Sequence, residues 1–346
     1  MKTKIAVAMS GGVDSTVTAA LLKQQGYSVH GVFMALAQPD LEAQIARVQK
    51  VADFLDVELE VIDLAQSFQR DILDYFCESY FAGKTPNPCV VCNRLIKCGK
   101  LLDEVRKKDL HGLATGHYAR IVQAPDGIYT LLKGKDAKKD QSYFLNQLTQ
   151  EQLSHLLFPL GEYTKDEVRG IAAKFGLEEL HGAESQDICF LKDQDVQNFL
   201  GNYHGAVQKE GAIITLTGER IGKHEGIHRF TVGQRRGLGL PDATPYYVVG
   251  LDPAKNAVIV GKKEDLWRDR LRVRNVNWTS GKAPEFTKPY QVKIRYRHDP
   301  APARLSIGEN DMIEVVFDDP QRAITPGQFA VMYDNEVVVG GGEIFY

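Results

Sequence analysis

The chain lacks the features that mark several large protein classes. It has five cysteines in 346 residues, too few and too unevenly spaced for the disulfide framework of a secreted domain. No apolar run approaches the roughly 18 residues a membrane-spanning helix needs. The opening residues reach Gly11, Gly12 and Asp14 after one short apolar stretch, so no signal-peptide core is expected. There is no internal repeat and no low-complexity tract. An excess of one charge is also missing, since 42 Lys and Arg face 45 Asp and Glu. What remains, 43% hydrophobic and 25% charged residues, is the composition of a soluble globular protein of two or three domains. A reducing cytoplasm is the expected compartment, with thiols free for chemistry, no membrane association and a monomeric state.

The near-neutral total hides a strong asymmetry. Residues 1–204 carry a balance of −5, residues 205–304 a balance of +9, and residues 305–346 a balance of −7. A local basic zone of that size attracts phosphate even when the whole chain is close to neutral.

The first 65 residues alternate strand and helix signals. Strands are expected at Lys4–Met9, Ser28–Met34 and Val57–Ile62. Helices are expected at Ser15–Gln25 and over 41–55, where Ile45, Val48, Ala52 and Leu55 recur at helical spacing. A fourth strand is expected at Leu113–Thr115. The order is that of a parallel sheet with helical crossovers. Residues 145–180 read as helical, with Thr164 to Glu167 as a capping box. After about residue 205 short β-type runs appear, at 211–216, 246–251, 257–261, 290–298, 312–317, 328–333 and 336–340. They predict a small β-rich central domain and a C-terminal β-barrel. The expected division is 1–204, 205–270 and 271–346.

The strongest local signal is Ala8, Met9, Ser10, Gly11, Gly12, Val13, Asp14, Ser15, placed after the first strand and opening a helix. The two glycines let backbone amides approach a ligand. Those amides, the Ser10 and Ser15 hydroxyls and the helix N-terminus make an anion site. No Lys follows the glycines, which excludes a Walker A loop, and G-x-G-x-x-G is absent, which excludes the dinucleotide fingerprint. S-G-G-x-D-S in this context resembles the PP-loop of ATP pyrophosphatases, which implies an α/β fold of the adenine nucleotide alpha hydrolase type. It also implies ATP with Mg2+ and transfer of AMP to a substrate oxygen.

Cys89 and Cys92 form a C-x-x-C in a loop stiffened by Pro86 and Pro88, and Cys189 lies far along the chain, after Ser185, Gln186 and Asp187. A structural zinc site would normally need four Cys or His ligands. Cys77 and Cys98 sit in apolar helical patterns, Cys98 with Leu95, Leu102 and Val105, and read as core.

From end to end the chain resembles the MnmA family of tRNA-specific 2-thiouridylases. The matching pieces are the PP-loop, T-P-N-P-x-x-x-C-N (85–93), T-G-H-Y-A-R (115–120), K-D-Q-S-Y-F-L (139–145), I-C-F (188–190), G-Q-R-R-G-L-G (233–239) and Arg295-Tyr296. The resemblance implies that the wobble uridine of tRNA is adenylated at its 2-oxygen and that sulfur then displaces AMP. Cys189 would carry a persulfide received from a sulfur-relay donor protein, and Cys92 would release sulfide or close a disulfide with it. Asn87, Pro88 and the residue at 89 would line the target base. Met34 and Gly116 would contact the adenosine of ATP. His117, Lys139, Asp140, Gln141, Arg295, Tyr296 and Gln328 would contact tRNA.

Position 89 departs from the family's best-known branch, which carries Asp there. Cys89, Cys92 and Cys189 are therefore also candidate ligands of a four-iron four-sulfur cluster with one open iron. Residues 291–297 alternate with period two, which would set Lys293, Arg295 and Arg297 on one sheet face toward a phosphate backbone. Two other readings compete: a PP-loop ligase acting on a small-molecule amide or carboxylate, and a non-catalytic tRNA-binding or redox-sensing protein that retains an ATP site.

Overall fold

The structure is a computed structural model that describes residues 2–36, 38, 40–177, 188–191, 195–203, 209–241 and 243–345. Lys4–Ala8 (β1), Val13–Gln24 (α1), Ser28–Ala35 (β2), Leu41–Phe54 (α2) and Glu58–Asp63 (β3) alternate as the sequence predicts. Ala65–Phe68 (α3), a π-wound turn over Gln69–Asp74 and Tyr75–Phe81 (α4) follow. After a loop come Pro88–Cys92 (α5), a second π-wound stretch over Asn93–Lys100 and Leu101–Arg106 (α6). Leu113–Ala114 (β4) returns to the sheet. A hairpin of Ala119–Gln123 (β5) and Tyr129–Lys133 (β6) precedes Gln150–Leu153 (α7), Leu156–Leu157 (β7), Lys165–Lys174 (α8) and Val196–Asn202 (α9).

The first sheet has the order β3-β2-β1-β4-β7, with every pairing parallel. Its strand order reverses direction at β1, between β2 and β4. In open parallel sheets ligands bind at such a switch point, outside the carboxyl ends of the strands. Here the loops after β1 and β4 occupy that crevice. Helix α1 is buried along most of its length, from Val13 to Leu22, and carries Asp14 in its first turn and Lys23 in its last, as the helix dipole favours.

A second sheet, β10-β11-β8-β9, is built from Gly211–Thr215 (β8), Arg220–His224 (β9), Tyr247–Asp252 (β10) and Ala257–Gly261 (β11). Trp267–Trp278 (β12), Tyr290–Lys293 (β13), Ala301–Ile307 (β14), Ile313–Arg322 (β15), Phe329–Asp334 (β16) and Val337–Phe345 (β17) close into a six-stranded barrel through a β12–β17 pairing. Its interior holds Leu271, Val273, Val292, Ala303, Val315, Phe317 and Met332. The β5–β6 hairpin reaches across to this barrel, pairing Leu132 with Val337.

Three expectations need correction. Residues 145–180 are not one helical region: α7 and α8 are separated by β7 and a 3-10 turn over Pro159–Glu162. The Thr164–Glu167 capping box does form, at the start of α8. The expected strand over 290–298 ends at Lys293, and residues 294–298 turn, with His298 N–H donating to the Arg295 carbonyl at 3.0 Å. Lys293, Arg295 and Arg297 therefore do not form one row on a sheet face. Pro300, two residues past that turn and just before β14, lacks the N–H needed to continue the β13 ladder.

Candidate functional site

The loop after β1 is held open by its own side chains. Gly11 adopts φ +74°, a conformation that favours glycine. Ser15 Oγ accepts from Ser10 N–H at 3.1 Å and donates to the Gly12 carbonyl at 3.0 Å, and Ser10 and Ser15 hydroxyls lie 3.2 Å apart. Val13 and Met9 anchor the loop in apolar surroundings, while Ser10 is exposed. Gly116, just beyond β4, lies against it: a Cβ there would come within 3.0–3.1 Å of Asp14 and of Ser15 N. Ala8 and Met34 end β1 and approach the end of β2 on the same sheet edge. The residues expected to hold ATP are thus gathered at the switch point, around the N-terminus of α1. Two side chains that the sequence did not single out join them. Tyr118 hydroxyl donates to Asp14 Oδ1 at 2.7 Å, and Lys165 Nζ lies 2.8 and 3.0 Å from the two Asp14 oxygens.

The thiols come from two distant segments. Asn87 caps α5 by accepting from Val90 N–H, and Pro88 occupies the first turn, where its missing N–H costs nothing. Cys89 and Cys92 then stand three residues apart on one helix. Cys189 is exposed on a turn closed by Leu191 N–H to the Ile188 carbonyl. The turn is anchored by Phe190, whose ring packs edge-on to Phe68 and Phe76 and against Phe199. Ser185, Gln186 and Asp187, which precede Cys189 in sequence, lie outside the described residues. Cys77 and Cys98 are fully buried, as expected. Leu95, placed with Cys98 by α-helical spacing, is instead exposed, because the π-wound stretch shifts the register.

Lys97, on the π-wound stretch that continues from α5, is another residue the sequence reading missed. Burial works against its ammonium, but the negative charge that Cys92, Cys189, Cys89 and Cys98 carry as thiolates outweighs it and leaves its pKa raised. Burial pushes the Cys92 thiol up to about 12, with Lys97 opposing. Cys89 is raised in the same way, and Cys189, although exposed, is raised by the protein mass behind it, again opposed by Lys97. On its other side Lys97 acts on His117, whose imidazole is held down to about 3 by burial and by that charge. His117 is three residues past β4 and next to Gly116, which lies against the nucleotide loop. No sequence periodicity signals this. Position 97 is five residues from Cys92, roughly 140° away on an α-helix, but it lies on the π-wound stretch, where i→i+5 winding sets residues five apart nearer to one face.

The residues expected at tRNA divide into two groups. His117 is buried with Nδ1 2.7 Å from Thr115 Oγ1. Asp140 is buried and accepts from Gly134 N–H, Ser142 N–H and Ser142 hydroxyl. Gln141 accepts from Tyr118 N–H at 3.0 Å. Gln328 donates to the Thr85 and Pro86 carbonyls at 2.8 and 3.3 Å, clamping the barrel onto the loop that precedes Asn87. In this structure these four brace the framework. Lys139 is half-buried, as are Arg295 and Tyr296 at the turn after β13. Tyr296 packs on Phe144 with ring centroids 4.4 Å apart. Arg295 donates to the Arg322 carbonyl, and burial together with the Arg322 charge lowers its pKa.

Among the described residues no group of three or more His, Cys, Asp or Glu is placed to hold a metal ion. Among the described residues no helix is long and apolar enough to cross a membrane.

Three family models match in series. A tRNA methyl transferase HUP domain covers residues 3–193, a tRNA methyl transferase PRC-barrel domain covers 197–262, and an aminomethyltransferase beta-barrel domain covers 268–344. The chain is 49% identical over 346 residues to the tRNA-specific 2-thiouridylase MnmA of Syntrophotalea carbinolica, covering 98% of both chains. It is 46% identical to the protein of that name in Desulfotalea psychrophila, again with 98% of each covered. For Geobacter metallireducens the identity is 45%, with 99% of this chain and 96% of the relative covered.

Proposed function

The chain belongs to the tRNA-specific 2-thiouridylase MnmA family, and we propose that it replaces the 2-oxygen of the wobble uridine of tRNA by sulfur in an ATP-driven reaction. The observation that carries this reading is the loop after β1, which Ser10, Gly11 and Ser15 shape at the N-terminus of α1, at the switch point of the parallel sheet. Residues 1–204 would hold ATP and the reacting groups, residues 205–270 would link, and residues 271–346 would bind tRNA through Arg295 and Tyr296.

ATP would lie with its phosphates against the N-terminus of α1, entering as its Mg2+ complex. The uridine 2-oxygen attacks the α-phosphorus, and pyrophosphate leaves. The terminal sulfur of a Cys189 persulfide then attacks C2, and AMP departs with the old oxygen. The Cys92 thiolate attacks the Cys189 sulfur, so that a Cys92–Cys189 disulfide closes and the thiocarbonyl is freed. An external dithiol reduces the disulfide, and a donor protein reloads Cys189. Exposure of Cys189 suits a thiol charged by a partner, and burial of Cys92 suits one that acts only inside the complex. Asn87, Pro88 and Cys89 would line the base.

The test is release of AMP and pyrophosphate from purified protein. The expected result is release that requires tRNA with a wobble uridine. Release with a small amine or carboxylate and no tRNA would instead identify a ligase. Anaerobic purification with iron analysis separates the thiol route from a cluster on Cys89, Cys92 and Cys189. Full activity without iron supports the thiol route, and activity that tracks iron content refutes it.

A further inference from the structure

The nucleotide loop carries an acid where an anion is expected to bind. Asp14 sits in the first turn of α1, where a carboxylate favours the helix dipole but repels a phosphate chain. No cation follows the glycines in sequence to offset it. The structure supplies one from 151 residues away. We propose that Lys165 is a positioning residue of the nucleotide site, whose ammonium cancels the Asp14 charge so that a triphosphate can approach the N-terminus of α1.

The geometry sets the order of the charges. Asp14 is the outer partner, with a third of its side chain exposed, and Lys165 the inner one, with 6% exposed. Lys165 Nζ spans both carboxylate oxygens, and Tyr118 hydroxyl fixes Oδ1 from the side of β5. Lys165 is itself held rigidly. It opens α8 behind the Thr164–Glu167 capping box, and its backbone N–H donates to Asp136 Oδ2 at 2.9 Å. Val168 and Ala172 of α8 pack into one core with Val13, Val17 and Leu21 of α1. A buried ion pair is a poor way to gain stability alone, since desolvation offsets most of the attraction. Beside an anion site the same pair has an electrostatic task.

The inference rests on this loop being the ATP site, and calorimetric titration with ATP and AMP in excess Mg2+, without tRNA, separates the two. Wild-type protein that binds neither nucleotide overturns the site itself. If it binds, Lys165→Met is expected to weaken ATP at least tenfold and AMP less than threefold. Adding Asp14→Asn to that variant is expected to bring ATP back to within threefold of wild type, although two polar contacts have then been removed. Equal losses for ATP and AMP, or a double variant no better than Lys165→Met, would overturn the proposal. Should Lys165→Met fail to fold, Asp14→Asn alone decides. Unchanged or tighter ATP relative to AMP supports charge cancellation. ATP weakened only when Mg2+ is present refutes it, because Asp14 would then be a metal ligand.

Discussion

The nucleotide loop and the thiol segments are built on opposite terms. The loop is contiguous in sequence, its serines bond one another, and its one acid is already matched by Lys165 and Tyr118. The thiols come from α5 and from a turn about a hundred residues later, burial keeps them protonated, and the Lys97 ammonium opposes that shift at Cys89, Cys92 and Cys189. The activating half is thus preorganised, whereas the sulfur half stays quiet until a charged or persulfidated species enters. A free thiolate beside ATP would be open to oxidation and stray attack, so a resting protonated state is protective.

Several substitutions would break or sharpen this contrast. The largest effect is expected from Cys189→Ala, which should lower thiolated tRNA by at least about a thousandfold while tRNA-dependent pyrophosphate release continues. Both products quantified in one reaction check it, and loss of pyrophosphate release as well would mean that the two halves are not separable.

Next in size is a difference in thiol reactivity. Iodoacetamide at pH 7 followed by peptide mass spectrometry should label Cys189 well before Cys92, Cys98 or Cys77. Cys92 labelling of the folded protein should keep rising with pH toward about 12. The same shift has a stability consequence. A thiol raised in the folded state favours folding fully below its unfolded value near 9, and that contribution falls away as pH climbs from there toward 12. Urea melts at pH 8 and pH 10 should show the loss, and Cys92→Ala should shrink it.

Lys97→Met is expected to slow Cys189 alkylation at neutral pH by roughly three- to tenfold, since its charge is what opposes the raised pKa. An unchanged rate would remove Lys97 from the account. His117, held down to about 3, should show no NMR titration between pH 5 and 8 in either protein.

The mildest effect belongs to the RNA side. Arg295→Ala should weaken tRNA binding about tenfold or less, equally across substrates, and reduce its salt dependence. Affinity measured at two salt concentrations tests this.

The two regions also differ in how much of them the sequence discloses. The β1–loop–α1 unit is readable because glycines, caps and apolar periodicity are local and agree. The five-stranded order could be inferred only in part, since β7 is two residues long and carries no periodic signal. The β5–β6 hairpin has a readable turn, Pro125-Asp126-Gly127 with Gly127 at φ +85°, that marks it plainly in hindsight. Lys97 and Lys165 were invisible for different reasons. The first depends on π winding that α-helical spacing does not anticipate. The second depends on the packing of α8 against α1, a contact between segments 151 residues apart. The period-two pattern puts Arg295 on a regular cationic face, but the strand stops at Lys293 and a turn redirects it.

The most direct measurement is a single turnover with Cys189 loaded as persulfide, ATP and tRNA, no reductant, and acid quenching before peptide mapping. One Cys92–Cys189 disulfide is expected for each thiouridine formed. Thiouridine formed in full while both cysteines remain free thiols would contradict it.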